Sequence, residues 1–231
     1  KFENDFKEKL KSDYFSINQE LEALKVENKD LRKHLFQLKD KIQRIRNYKT
    51  ISINIQNGEH IKDLGTQHFQ FEKLSKYVQT KNNIFLVGSA GSGKTTAAEN
   101  VAKALNIKFY FTGAINSEYK LTGFIDAQGR IVNTEFRKAY EHGGLFLFDE
   151  IDASFPQAIL AFNAALANNY MDFPDRKVKR HKDFYCIAAA NTFGTGADRQ
   201  YIGRNQLDAA SLDRFITMNW EIDERLEREL A

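Results

Sequence analysis

Eight consecutive residues, Gly88-Ser89-Ala90-Gly91-Ser92-Gly93-Lys94-Thr95, fit the pattern GxxxxGK[ST]. Glycines at that spacing let successive backbone N–H groups curl around the oxygens of a polyphosphate at a helix N-terminus. Lys94 then reaches the outer phosphates, and the Thr95 hydroxyl offers an oxygen to Mg²⁺. Thr96 completes the candidate binding set, although its position reads first as a helix residue. Further along, LFLF at 145–148 ends in Asp149 and Glu150. An apolar run closing on two acids suits a buried strand that delivers carboxylates at its tip. Asp149 is expected to hold Mg²⁺ through water, and Glu150 to polarise the water that attacks the terminal phosphate. A third apolar run, FYCIAAA at 184–190, ends at Asn191. An amide there either orients that water or simply makes a turn.

These groups need elements to hold them together. IFLV at 84–87 reads as a strand running into the glycines, followed by a helix through Leu105 and a strand at 107–111. Strand, helix and strand in that rhythm imply a parallel sheet with helices on both faces, an α/β fold of the three-layer αβα sandwich type. Upstream, ISINI at 51–55 alternates with period two and is followed by Asn57-Gly58, a strand and a turn, and 69–78 reads as a helix.

The first 49 residues follow another rule. Leu10, Tyr14, Ile17, Leu21, Leu24, Asn28, Leu31, Leu35, Leu38, Ile42 and Ile45 recur at strictly alternating spacings of four and three, a heptad seam. With Leu21, Asn28, Leu35 and Ile42 at the a positions, the one polar seam residue is an a-site asparagine, which favours a parallel two-stranded pairing. The bland alternative is a single amphipathic helix lying on its own domain. The expected organisation is a coiled-coil helix over 1–49 and a catalytic domain over 50–231.

Of 231 residues, 42% are hydrophobic and 28% charged, ordinary globular composition. Net charge is +3, with 13 Lys/Arg against 9 Asp/Glu in residues 1–49 and near balance beyond, so charge alone is no argument for nucleic acid. The single Cys186 excludes an internal disulfide. No apolar run reaches the ~18 residues of a membrane span, and a cytoplasmic location is expected. His34, His60, His68 and His142 are scattered without partners at ligand spacing, so no structural zinc is expected. Residues 175–182 carry Arg176, Lys177, Lys179, Arg180, His181 and Lys182. This stretch lacks the interleaved aromatics of single-strand binders and reads as a solvated turn rather than a nucleic-acid contact.

Taken together, the phosphate loop, LFLFDEIDASFPQAILAFNAALANNYMDFPD and AAANTFGTGADRQYIGRNQLDAASLDRF resemble AAA+ ATPases of the MoxR, CbbQ and dynein-related group, over about residues 57–231. The resemblance implies Walker A at 88–95, Walker B at Asp149 and Glu150, and a sensor role for Asn191. It also implies that Arg214 is an arginine finger completing a neighbouring subunit's site, with Arg199 and Arg204 as rival fingers. ATP and Mg²⁺ are the implied ligands, and a homo-oligomeric ring, six-membered by the family pattern, the implied assembly. Family members continue into a helical lid. This chain ends soon after about residue 221, as if trimmed. Residues 118–129, with Tyr119, Gly123 and Phe124, lie where the family carries inserted elements, and their aromatics read equally as core.

The expected function is Mg²⁺-dependent ATP hydrolysis driving the remodelling of a protein or macromolecular complex, with residues 10–45 pairing subunits or docking an adaptor. The rivals are a nucleic-acid motor or loader, and a nucleotide-dependent scaffold. GTP is the less expected nucleotide, since no NKxD follows Glu150.

Overall fold

The structure, a computed structural model, describes residues 2–45, 50–54 and 61–230. The chain divides into two compact units, residues 1–47 and 48–231. The first holds a single helix, α1 (Phe2–Ile45), which at 1.5 Å per residue is about 66 Å long. Its seam residues Tyr14, Ile17, Leu21, Leu24, Leu31, Leu35 and Leu38 are all exposed. Among the described residues no helix is long and apolar enough to cross a membrane.

The second unit opens with an antiparallel pair, β1 (Thr50–Asn54) and β2 (Ile61–Thr66). The turn expected at Asn57-Gly58 lies outside the described residues. There follow α2 (Phe71–Gln79), β3 (Ile84–Val87), α3 (Lys94–Leu105) and β4 (Phe109–Thr112). Next come the short α4 (Tyr119–Thr122), a hairpin of β5 (Phe124–Ile125) and β6 (Ile131–Val132), α5 (Glu135–His142) and β7 (Gly144–Phe148). After α6 (Pro156–Ala167), a second hairpin of β8 (Tyr170–Asp172) and β9 (Lys177–Lys179) leads into β10 (Phe184–Ala190). The unit ends with α7 (Ala209–Leu212), β11 (Ile216–Asn219) and α8 (Glu224–Leu230).

Five strands form one sheet in the order β11-β3-β10-β7-β4, every neighbouring pair parallel. A parallel sheet needs both faces covered, which is why its strands are apolar throughout rather than alternating. All five residues of β7 are buried. Phe146 and Phe148 face α5 and α6 and meet Phe136, Tyr140 and Phe162. Leu145 and Leu147 face α2 and α3 and meet Leu74, Val78, Ala98 and Val101. The ring of Phe136 stands edge-on to Phe146 and Phe162, with centroids 5.1 and 5.6 Å apart, the arrangement that the ring quadrupole favours. The result is the expected αβα sandwich.

Two local differences from the sequence reading have simple causes. The strand expected from residue 107 starts at Phe109, because α3 ends in a left-handed cap. Asn106 has φ 55°, and Ile107 N–H still donates to the Ala102 carbonyl at 3.0 Å, so the helix terminus claims it. Tyr119 and Phe124 are exposed rather than core, and Leu121 between them is the buried residue.

Candidate nucleotide-binding and water-activating site

Because β3, β10 and β7 are adjacent and parallel, their C-terminal tips meet at one edge of the sheet, the crevice in which open α/β folds bind ligands. Gly88 follows β3, Asn191 follows β10, and Asp149 with Glu150 follows β7. Gly88 N–H donates to the Ala190 carbonyl at 3.2 Å. A Cβ on Gly88 would lie 2.1 Å from the Trp220 carbonyl oxygen, so the strand-to-loop turn admits no side chain there. At the other end of the loop Gly93 caps α3 with φ 80°, left-handed backbone that glycine adopts without cost. The Trp220 indole N–H donates to the Ser92 carbonyl at 2.8 Å and pins the loop from below.

Lys94 is buried. Its ammonium donates to the carbonyls of Gly88 (2.7 Å) and Ser89 (2.9 Å) and to Asn191 Oδ1 (3.1 Å). Burial lowers its pKa below the ordinary lysine value; Asp149, Asp152 and Glu150 oppose that shift and Arg204 adds to it. The Thr95 hydroxyl donates to Asp149 Oδ2 at 2.8 Å, and Asp149 Oδ1 accepts the Glu150 N–H at 2.9 Å. Glu150 sits on left-handed backbone, φ 51° and ψ 39°, with its side chain about half exposed. Ala90, Lys94, Thr95, Asp149, Glu150 and Asn191 border a space of about 370 Å³. A hydroxyl and a carboxylate side by side, with room for water, are hard oxygen donors of the kind Mg²⁺ takes alongside phosphate oxygens. The residues present therefore fit that ion.

Some participants, Asp152 and Tyr201 among them, were not singled out in the sequence, and Arg204 was expected only as a rival finger. Asp152, wholly buried, accepts on Oδ2 from Asn191 N (3.2 Å), Thr192 N (3.1 Å) and Thr192 Oγ1 (3.0 Å). A third acid two residues beyond Glu150, in DEID, was the available signal. Arg204 bonds Asp152 Oδ1 at 3.3 Å and Glu150 Oε1 at 3.0 Å. Tyr201 Oη accepts from the Ala90 N–H at 3.1 Å. On the other side of the loop lies a pocket of about 440 Å³ between the end of β2, α3 and α8, edged by Gln67, His68, Asn100 and Leu226. Thr96 borders both spaces. His68 stacks on Trp220, ring centroids 4.0 Å apart. Nothing in the spacing of Gln67, Asn100 and Leu226 signals a common pocket, since it forms only where α8 meets the end of β2 and α3.

Arg214 does not join this cluster. It precedes β11, and its carbonyl accepts from Asn83 Nδ2 at 3.0 Å just ahead of β3. It therefore sits at the N-terminal edge of the sheet, separated from the phosphate loop by the four residues of β3 at about 3.3 Å each. Its Nη1 donates to the Ala210 carbonyl, and its buried Nε has no hydrogen-bond partner among the described residues. Arg199 is exposed. Of the basic stretch, Arg176 pairs with Glu141, and Arg180 donates to the Leu166 carbonyl and Asn169 Oδ1 at 3.1 and 3.0 Å. Beside them the buried Arg137 forks onto both Asp175 oxygens, at 2.6 and 2.9 Å. These arginines fasten the β8–β9 hairpin to the body.

A phosphate loop at a strand-to-helix turn, two acids on a neighbouring strand and a parallel sheet between helices define a nucleoside triphosphatase of the phosphate-loop class. Residues 83–215 match the family described as AAA domain (dynein-related subfamily). The chain belongs to that family and is an ATPase that binds ATP with Mg²⁺. It is 34% identical over 79 residues to an ATP-dependent clpX-like mitochondrial chaperone of Saccharomyces cerevisiae, covering 32% of this chain and 15% of that protein. It is 33% identical over 101 residues to a Lon protease of Clostridioides difficile, covering 41% and 13%. An uncharacterised protein of Staphylococcus epidermidis is 26% identical over 170 residues, covering 66% and 60%. The chain thus spans between about an eighth and three fifths of the length of these relatives. Among solved structures, a candidate ATPase from Cytophaga hutchinsonii shares the fold with TM-score 0.54, 19% identity, 70% of this chain and 49% of that one. NtrX from Brucella abortus in complex with ATP does so with TM-score 0.52, 18% identity, and coverage of 80% and 41%.

Proposed function

We propose that this chain is the motor module of a ring-forming ATPase in which each active site is shared between two subunits, and that hydrolysis remodels a protein client. The observation that carries this is the separation of Arg214 from its own phosphate loop by the depth of the sheet, while Lys94, Thr95, Asp149, Glu150 and Asn191 converge on one space. A finger on the far edge serves a neighbour, as the ring assemblies of AAA+ proteins require.

The loop amides around residues 88–95 and Lys94 bind the β and γ phosphates, and the nucleoside lies in the pocket beside His68 and Asn100. Thr95 and Asp149 hold Mg²⁺, which when bound neutralises charge on the phosphate oxygens. Glu150 orients a water on the far side of the γ phosphorus and takes its proton as the new P–O bond forms. The bond from phosphorus to the β–γ bridging oxygen breaks, releasing ADP and inorganic phosphate. Asn191, on the neighbouring strand tip, holds the attacked phosphoryl group or the water. Arg214 of an adjacent copy supplies positive charge to the phosphoryl group in flight, a contribution worth about 10³ to 10⁵ in rate. In α1, a parallel pairing of two copies covers the exposed seam, with Asn28 setting register.

The test is ATPase rate against protein concentration for wild type, Glu150→Gln and Arg214→Ala, alone and mixed. Shared sites give cooperative growth in rate, loss in both variants and partial recovery on mixing. Normal turnover by Arg214→Ala, at a rate per subunit independent of concentration, rejects the shared site. Stimulation by DNA that falls steeply with salt would instead favour a nucleic-acid client.

A further inference from the structure

Arg204 stands apart from the other arginines near the site because both of its partners belong to the machinery of its own subunit. Its side chain is only 12% exposed and bridges Glu150 (3.0 Å) and the wholly buried Asp152 (3.3 Å). We propose that Arg204 is a positioning residue acting within its own subunit, holding the Glu150 carboxylate in line with the phosphate-loop mouth. The proposal rests on Glu150 as the water-activating group.

Glu150 needs such a device. Its backbone is left-handed and its side chain about half exposed, so packing does not choose its rotamer. A base that misses its water by an ångström loses about 10²-fold in rate. Arg204 is fixed on several sides. Asp152 holds Nη1, and the same carboxylate takes the N–H of Asn191 and both donors of Thr192. The next residue is pinned as well: Asn205 N–H donates to the Asp152 carbonyl at 2.6 Å, and its amide to the Ser154 carbonyl at 2.9 Å. On the open side the guanidinium lies 5.9 Å from the ring of Tyr201, whose hydroxyl accepts the Ala90 N–H. Asp152 thus registers the Asn191 backbone on the β10 tip and, through Arg204, the Glu150 carboxylate on the β7 tip. With Oε1 held by Arg204, Oε2 is left to accept from water. Arg214 differs on every count: it lies at the other edge of the sheet, with a buried donor that has no hydrogen-bond partner among the described residues.

The experiment compares Arg204→Gln and Arg204→Lys in the full chain, each alone and mixed with Glu150→Gln. The readouts are kcat, KM, and ATP affinity followed by emission of Trp220, the one tryptophan. Expected is a fall in kcat of about 10²-fold for Arg204→Gln with ATP affinity unchanged, and partial recovery in Arg204→Lys, which keeps the charge. If Arg204→Gln does not fold, Arg204→Lys carries the comparison, with a smaller loss confined to kcat. Mixing Arg204→Gln with Glu150→Gln should restore nothing, because each lesion strikes the site of the subunit that carries it, whereas Arg214→Ala mixed with Glu150→Gln recovers. Recovery in the Arg204 mixture makes Arg204 a group that serves a neighbour and overturns the proposal. So does wild-type turnover by Arg204→Gln, or parallel loss of ATP affinity and kcat without rescue by lysine. If Glu150→Gln alone keeps its turnover, the fault lies with the water-activating assignment itself, a separate result.

Discussion

At the scale of single residues, binding and turnover are carried by different groups and separate cleanly. Lys94→Ala removes the buried ammonium that faces the phosphate loop, so ATP binding is expected to vanish with turnover, as read by equilibrium binding. Glu150→Gln keeps the shape and the loop, so it should bind ATP like wild type and lose about 10²- to 10⁴-fold in turnover, the range for a removed general base. Gly88→Ala tests geometry rather than chemistry. A Cβ there meets the Trp220 carbonyl at 2.1 Å, and overpacking of that kind costs about 1–3 kcal/mol. A urea midpoint shift of that size, with weakened ATP binding, is the expected outcome, and an unshifted midpoint would show that the turn relaxes. Cys186 makes the opposite point: burial pushes its pKa up, and it serves as core.

At the scale of elements, the loop is tuned by a tie between the segment leading into α2 and the one leading into α8. His68 stacks on Trp220, accepts the Gln70 N–H on Nδ1 at 3.1 Å and therefore donates from Nε2 to the Glu221 carbonyl at 2.9 Å. Phe69 N–H reaches Asp223 at 3.0 Å. Burial lowers the His68 pKa, against the raising effects of its bond to Glu221 and of the charges on Asp223 and Glu221. The folded state thus prefers neutral His68, and a proton on Nδ1 would break the Gln70 bond. The unfolded chain takes up that proton first, near its ordinary pKa of about 6.5. Stability is accordingly full above that value and lost as pH falls from there through the lowered folded pKa. Thermal unfolding followed as pH falls below about 6.5 should show this slope, and His68→Gln should flatten it. A slope unchanged by the substitution would assign the titration to another group.

At the scale of the whole molecule, two units answer to different requirements. The ATPase unit closes its own core, with both sheet faces covered. Helix α1 does not, because Leu21, Leu24, Leu31, Leu35 and Leu38 are about half exposed in the single chain. A stripe of that length is stable in water when a second helix covers it. Removing residues 1–49 should lower the mass of the assembly in analytical ultracentrifugation or its affinity for clients, while leaving ATP binding intact. An unchanged assembly that captures the same clients would remove α1 from both roles.

The sequence by itself determined the chemistry and the fold class. The phosphate loop, the acids after LFLF and the heptad seam are all local patterns, legible because strand, turn and helix are fixed by residues within a few places of one another. At Asn191 the same reasoning reached only a polar residue ending an apolar strand, open between a water-orienting amide and a turn. What only the tertiary structure decided depends on residues far apart in the chain. Arg204 was only a rival to Arg214 for the finger until the chain brought it 3.0 Å from Glu150, 54 residues earlier. Arg214 was set apart only when β11 paired with β3 and carried it to the opposite edge. The pocket beside His68 exists because α8 returns to β2 and α3. Spacing along the chain encodes which groups share a turn, whereas strand order decides which tips share an edge, and that order is set by how both faces of the sheet are buried.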